Sequence, residues 1–184
     1  NIGPEAALPV MEGKCLLFRE LAQVNAIPVV LATQDVEEII SVVKAIAPGF
    51  GGINLEDISA PRCFEIEQKL QNIGIPVFHD DQHGTAIVVA AALENALKVV
   101  GKKLDQVKVV ILGAGAAGVA VAKFLRPKSL VMFDSQGPVF LGRKDLNFAK
   151  IEVAKLPYYQ NSKFDLKEVL AGADVFIGVS GSGK

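Results

Sequence analysis

Apolar positions along the chain follow two rhythms, one helical and one of short β-branched runs. From Pro4 to Val24, "PEAALPVMEGKCLLFRELAQV" places apolar residues at helical spacing, interrupted at Pro9 and Gly13. "IPVVLAT" (Ile27 to Thr33) is short and uniformly apolar, which predicts a buried parallel strand. "DVEEIISVVKAIA" predicts a helix, with acids in its first turn and Pro48-Gly49 at its end. "GGINLEDI" predicts the next strand, and Pro61 opens a helix through "PRCFEIEQKLQNIG" at the position proline favours. "IPVFHDD" predicts a third strand, followed by a long helix "GTAIVVAAALENALKVVG". Strand then helix, three times over, predicts a parallel sheet.

A second cycle follows. "QVKVVILGAGAAGVAVAKFL" predicts a strand, a glycine turn and a helix; "SLVMFDSQG" a second strand, "FDLKEVLAGA" a helix, and "DVFIGVSGSG" a third strand. The polar stretch "GKKLD" (Gly101 to Asp105) marks the boundary. The fold class is therefore α/β with two parallel-sheet units: residues 1–101, and a Rossmann-type unit over 102–184.

Composition narrows the classes. Of 184 residues, 51% are apolar and 21% charged, as in ordinary packed proteins. A net charge of -1 and the absence of a basic run argue against nucleic acid as a partner. The apolar stretches fall short of the roughly 20 residues a bilayer span needs, so no membrane partner is expected. Cys15 and Cys63 have no C-x-x-C spacing, which suits a reduced, cytoplasmic protein with inert thiols. The chain starts at Asn1 without a signal-like segment and stops within "VSGSGK", so it reads as part of a longer polypeptide.

"VVILGAGAAG" fits G-x-G-x-x-G at Gly113, Gly115 and Gly118, with Ala114, Ala116 and Ala117 between them. It follows a β-branched strand and opens a helix, the context that dinucleotide binding requires. Gly113 permits the tight turn, Gly115 lets backbone approach a pyrophosphate, and Gly118 lets helix and strand pack closely. The helix N-terminus offers free N–H groups to phosphate. Asp134, at the end of the next strand, is placed to hold an adenosine ribose 2′-hydroxyl and favours NAD. Arg143 and Lys144 nearby could instead meet the 2′-phosphate of NADP. The plain alternative is a glycine-rich turn in a sheet that binds nothing, with Asp134 as a strand terminator.

The first unit carries carboxylates where active groups of parallel sheets gather, at strand C-terminal ends. Glu56 and Asp57 end one strand, and Asp80 and Asp81 end the next. Four anions on one edge repel one another unless a cation sits among them, and Mg²⁺ or Mn²⁺ suits oxygen ligands. One aspartate could instead cap the helix near Gly84. His83 fits an orienting or packing role. Lys14 is a lone lysine in an apolar helix; the ordinary reading is a snorkelling side chain. Facing a metal-charged cleft, its pKa would fall and it would serve as a base near neutral pH.

These segments, "IGPEAALPVMEGKCLLF", "GGINLEDISAPRCFEIE", "IPVFHDDQHGTAIVVAAALENAL" and "ILGAGAAGVAVAKFL", together resemble the malic enzyme family, of the short bacterial and archaeal type. The resemblance runs nearly end to end. It implies a metal- and substrate-binding domain followed by an NAD(P)-binding domain. By position it implies that Glu56, Asp57 and Asp81 bind the divalent metal, that Lys14 is the general base, and that Asp80 assists it. It also implies that the Gly113–Gly118 turn with Asp134 holds NAD, or NADP. The implied reaction is oxidative decarboxylation of L-malate to pyruvate and CO₂, by a homodimer or higher homo-oligomer. The family's tyrosine acid and substrate arginine would lie upstream of Asn1, and its asparagine beyond Lys184. The link "FLRPKSLVMFD" is shorter than the family pattern. Malolactic decarboxylation and a non-catalytic NAD(H)-binding module are the rival readings; amino-acid dehydrogenases lack the acidic cluster.

Overall fold

The computed structural model describes residues 3–181. Its first element is a single helix, α1 (Pro4–Ala22), which passes through Pro9 and Gly13 without a break and buries none of its residues. The segment 27–33, expected as a strand, has no regular structure and forms no ladder among the described residues. Ile27 and Val29 remain exposed there.

Helix α2 (Val36–Ile46) starts where Asp35 accepts a hydrogen bond from Glu38 N–H at 2.8 Å. Strand β1 (Ile53–Leu55), helix α3 (Arg62–Leu70) and strand β2 (Val77–His79) follow. The two strands pair in parallel, with Leu55 opposite His79. Ile39, Ile40 and Val43 of α2, Ile66 and Leu70 of α3, and Leu55 and Val77 of the strands form one small core. The expected three-strand repeat is thus a two-stranded sheet covered by two helices.

Helix α4 (Asp80–Val100) begins directly on the two aspartates, four residues earlier than the Gly84 start that the sequence suggested. By length and composition it could cross a membrane, against the sequence expectation. Within the fold its Ala86, Leu93 and Leu97 join the main core instead. That core also takes in Cys63 and Phe64 of α3, so it extends across the Gly101–Asp105 stretch.

Beyond that stretch lie β3 (Lys108–Leu112), α5 (Ala116–Phe124), β4 (Ser129–Asp134), β5 (Gly137–Pro138), α6 (Phe148–Ala154), α7 (Leu166–Leu170) and β6 (Val175–Gly178). The sheet order is β5-β4-β3-β6, parallel except for β5. Both faces are buried: Val109 and Ile111 of β3 join the main core, while Val110 packs toward Leu166 and Val169 of α7. This is the doubly wound α/β arrangement expected of the second unit. The sequence reading passed over β5 and α6.

Candidate active site

The parallel pairing of β1 and β2 determines where the carboxylates emerge. Leu55 and His79 are opposite each other, so Glu56-Asp57 and Asp80-Asp81 leave the sheet at the same edge. Asp57 turns there with φ 58, a left-handed conformation that aspartate tolerates better than most residues. Its backbone N–H donates to Asp81 Oδ2 at 3.1 Å, tying the two strand ends together. Asp80 and Asp81 occupy the first turn of α4, where the helix dipole favours anions. Neither caps it. The N-cap is His79, with no side-chain cap bond, so the capping alternative falls.

Lys14 reaches this edge from α1. Its Nζ lies 2.5 Å from Glu56 Oε2 and 2.7 Å from Asp80 Oδ2, and Asn54 Nδ2 donates to the same Glu56 oxygen at 3.1 Å. Partial burial works against the lysine's charge, but the hydrogen bonds and charges of Asp80 and Glu56 outweigh it. With carboxylates as its neighbours, the pKa stands above the ordinary lysine value.

Sequence reasoning missed Gly84. A Cβ there would stand 1.9 Å from Asp80 Oδ1, so the absent side chain makes room for the carboxylate that holds Lys14. A glycine four residues after an aspartate, at the expected start of a helix, was the available signal. His83 does not join the edge. Its Nε2 is 2.7 Å from Glu67 Oε1, and Gln82 Nε2 donates to Glu67 Oε2 at 3.0 Å. His79 is fully buried, and burial holds its pKa below the ordinary histidine value.

The carboxylate oxygens of Glu56, Asp57 and Asp81 are hard donors on one edge, a set whose chemistry suits a hard divalent ion. Among the described residues no group of three or more His, Cys, Asp or Glu side chains converges as a ready metal cage, because Glu56 turns to Lys14 and Asn54. The donors fit such an ion in kind, as hard carboxylate oxygens that emerge from one sheet edge.

The glycine turn lies between β3 and α5. Gly113, at φ 118, has a conformation that L side chains rarely adopt, and a Cβ there would meet the Val179–Ser180 backbone at 2.7 Å. At Gly118 a Cβ would be 1.8 Å from Gly113 O, which fixes the close helix–strand approach. Gly115, by contrast, has nothing within 4 Å of the Cβ position. It is the N-cap of α5 and lacks a side-chain cap bond, with Ala116 as the first helical residue and Ala117 next. Ala114 is buried in the main core. The three glycines therefore form a cradle closed behind and open in front, which fits a pyrophosphate.

Asp134 ends β4, with a side chain only 8% exposed. It is held by Arg143 and by Lys150 Nζ at 2.6 Å, and accepts from Gln136 N–H at 2.9 Å. Desolvation opposes its charge, yet these bonds bring the pKa down to about 2. Of the two cations proposed for a 2′-phosphate, Arg143 is thus already paired. The second cation on Asp134 is Lys150, not Lys144.

A doubly wound sheet with a glycine cradle, joined to an edge where a lysine meets carboxylates from two strands, defines a dinucleotide-binding α/β protein with an acidic second site. Family comparison specifies it further. The profile "Malic enzyme, NAD binding domain" matches residues 82–184, and "Malic enzyme, N-terminal domain" matches residues 32–71. The chain belongs to the malic enzyme family. It is 56% identical to an NAD-dependent malic enzyme of Geobacillus stearothermophilus and 54% identical to a bifunctional malic/malolactic enzyme of Bacillus subtilis (strain 168). Both matches cover 100% of this chain, which spans 39% and 46% of those relatives. The crystal structure of an NAD-dependent malic enzyme from Thermotoga maritima superposes with a TM-score of 0.92 at 50% identity, covering 98% of this chain and 49% of that one.

Proposed function

We propose that the enzyme containing this chain oxidatively decarboxylates L-malate to pyruvate and CO₂ while reducing NAD⁺. The observation that carries the reading is the meeting of Lys14 with Glu56 and Asp80, three residues distant in sequence, at the edge where Asp57 and Asp81 also emerge. Glu56, Asp57 and Asp81 would hold Mg²⁺ or Mn²⁺. That ion would supply positive charge to the substrate's oxygens and offset the carboxylates that now raise the Lys14 pKa.

Lys14 Nζ takes the proton of the 2-hydroxyl as hydride leaves C2 for the nicotinamide. Asp80 keeps the Lys14 side chain in place, and Gly84 leaves room for Asp80. The Gly113–Gly118 turn and the N-terminus of α5 bind the pyrophosphate. NAD is the coenzyme this reading favours: Asp134 places a carboxylate at the strand end, and the cations beside it, Arg143 and Lys150, are paired with it. NADP is the alternative. The reading extends to a cytoplasmic homo-oligomer without nucleic-acid or membrane partners. Exposed Leu16, Leu17 and Leu21 on α1 support a further apolar contact.

The test is formation of reduced nicotinamide by the full-length enzyme with L-malate, run with NAD⁺ and NADP⁺, with and without Mn²⁺. Lys14→Met should lower kcat by about 10²–10⁴ while leaving NADH affinity unchanged. Asp81→Asn should abolish the Mn²⁺ dependence together with activity. Undiminished turnover in both variants, or turnover indifferent to metal, would sink the reading. Malolactic decarboxylation is the second reading, supported by the bifunctional name of the Bacillus subtilis relative. Lactate released without net NADH would favour it.

A further inference from the structure

The mechanism above leaves the buried imidazole of His79 unused. His79 is fully buried, and neither Nδ1 nor Nε2 has a hydrogen-bond partner among the described residues. Leaving a buried donor or acceptor unsatisfied costs about 1–3 kcal/mol, and native proteins keep few such groups. An apolar side chain would fill the same space without that cost. The nearest ionic group is Asp81, whose Oδ2 lies 3.6 Å from His79 Nε2. That same oxygen accepts from Asp57 N–H. The His79 backbone is held at both sides, as the last residue of β2, paired with Leu55, and as the N-cap of α4.

We propose that His79 is a positioning residue for Asp81: its Nε2 backs Oδ2 from the buried side at 3.6 Å, a polar contact that steadies the carboxylate while its other oxygen serves the outer edge. The proposal rests on the reading of Asp81 as a metal-holding residue. Hydrogen-bonding partners behind a ligating carboxylate or imidazole commonly change metal affinity by about 10–100-fold. His79 would do for Asp81 what Gly84 does for Asp80: one supplies a polar neighbour and the other supplies room.

The experiment is Mn²⁺ binding to the full-length enzyme without malate or coenzyme, followed by the electron paramagnetic resonance of free Mn²⁺. His79→Leu removes the N–H and keeps the bulk; its Mn²⁺ affinity should fall by about 10–100-fold. NADH binding should be unchanged, since the coenzyme cradle shares no residue with this edge. In His79→Gln the side-chain amide nitrogen reaches as far as Nε2, and most of the affinity should return. Wild-type affinity in His79→Leu would overturn the proposal, as would a loss in folded His79→Gln as deep as that in His79→Leu. If His79→Leu gives no cooperative melt, His79→Gln decides alone: near wild-type affinity supports the role, and a tenfold loss overturns it. A wild-type enzyme that binds no Mn²⁺ would instead break the metal reading itself.

Discussion

The two candidate sites are held in place by different physics. The coenzyme cradle is a steric object. It sits on a sheet buried on both faces, and its shape follows from backbone atoms that tolerate no Cβ at Gly113 or Gly118. The carboxylate edge is an electrostatic object. It stands on two three-residue strands and a small core, and Lys14 reaches it from a helix with no buried residue. Ion pairs, the Asn54 amide and a backbone N–H contribute to its geometry. A site of the first kind is preorganised whether or not ligand is bound. A site of the second kind takes its final arrangement from the charges placed in it.

The largest expected break is in the cradle. Gly118→Ala puts a methyl group 1.8 Å from Gly113 O, and that neighbour is backbone rather than a flexible side chain. It should cost about 3 kcal/mol or more and abolish NADH binding, measured by thermal melting and by NADH fluorescence. Gly115→Ala faces open space and should stay within about 1 kcal/mol of wild type, yet still weaken NADH binding. Equal melting of the two variants would refute a steric cradle.

Asp134 brings the electrostatic argument into the second region. A folded-state pKa of about 2, below the ordinary 3.8, means that its contribution is fully present above about pH 4. It is lost as pH falls toward 2. Asp134→Asn leaves Arg143 and Lys150 without their shared anion and should cost about 2 kcal/mol at neutral pH. The variant's stability should also vary less than wild type's between pH 4 and pH 2. Acid-unfolding curves that keep the wild-type slope would show that the cluster contributes little.

The sequence was most legible where one residue type answers one physical need. The spacing of Gly113, Gly115 and Gly118 after a β-branched strand located the cradle, and paired acids after two apolar runs located the edge. It was least legible where tertiary partners decide. Ile27 to Thr33 has the composition of a strand but no neighbour to pair with. Helix α6 is too short for its periodicity to stand out, although the Asn147 cap on Lys150 N–H was a visible start signal. No spacing rule could tell that Arg143 and Lys150 would both fold back on Asp134. Likewise, the lysine's pKa direction depends on which charges meet it, and sequence does not state that.

The smallest effect separates the two regions most cleanly. Asp35 caps α2 through Glu38 N–H, and Asp35→Ala should cost about 1 kcal/mol. The buried residues of helix α2 pack into the small core with β1, β2 and α3. If that core opens as its own unit, native-state hydrogen exchange should speed up in amides of α2, β1 and α3 and stay unchanged in β3 and α5. But α3 also lends Cys63 and Phe64 to the main core, and the Phe64 ring meets Phe148 of α6 edge to face at 6.1 Å. Those contacts resist local opening of α3, so exchange should rise most in α2 and less in α3. A uniform rise through β3 and α5 would mean that the two regions unfold as one, and that the carboxylate edge is as firmly built as the cradle.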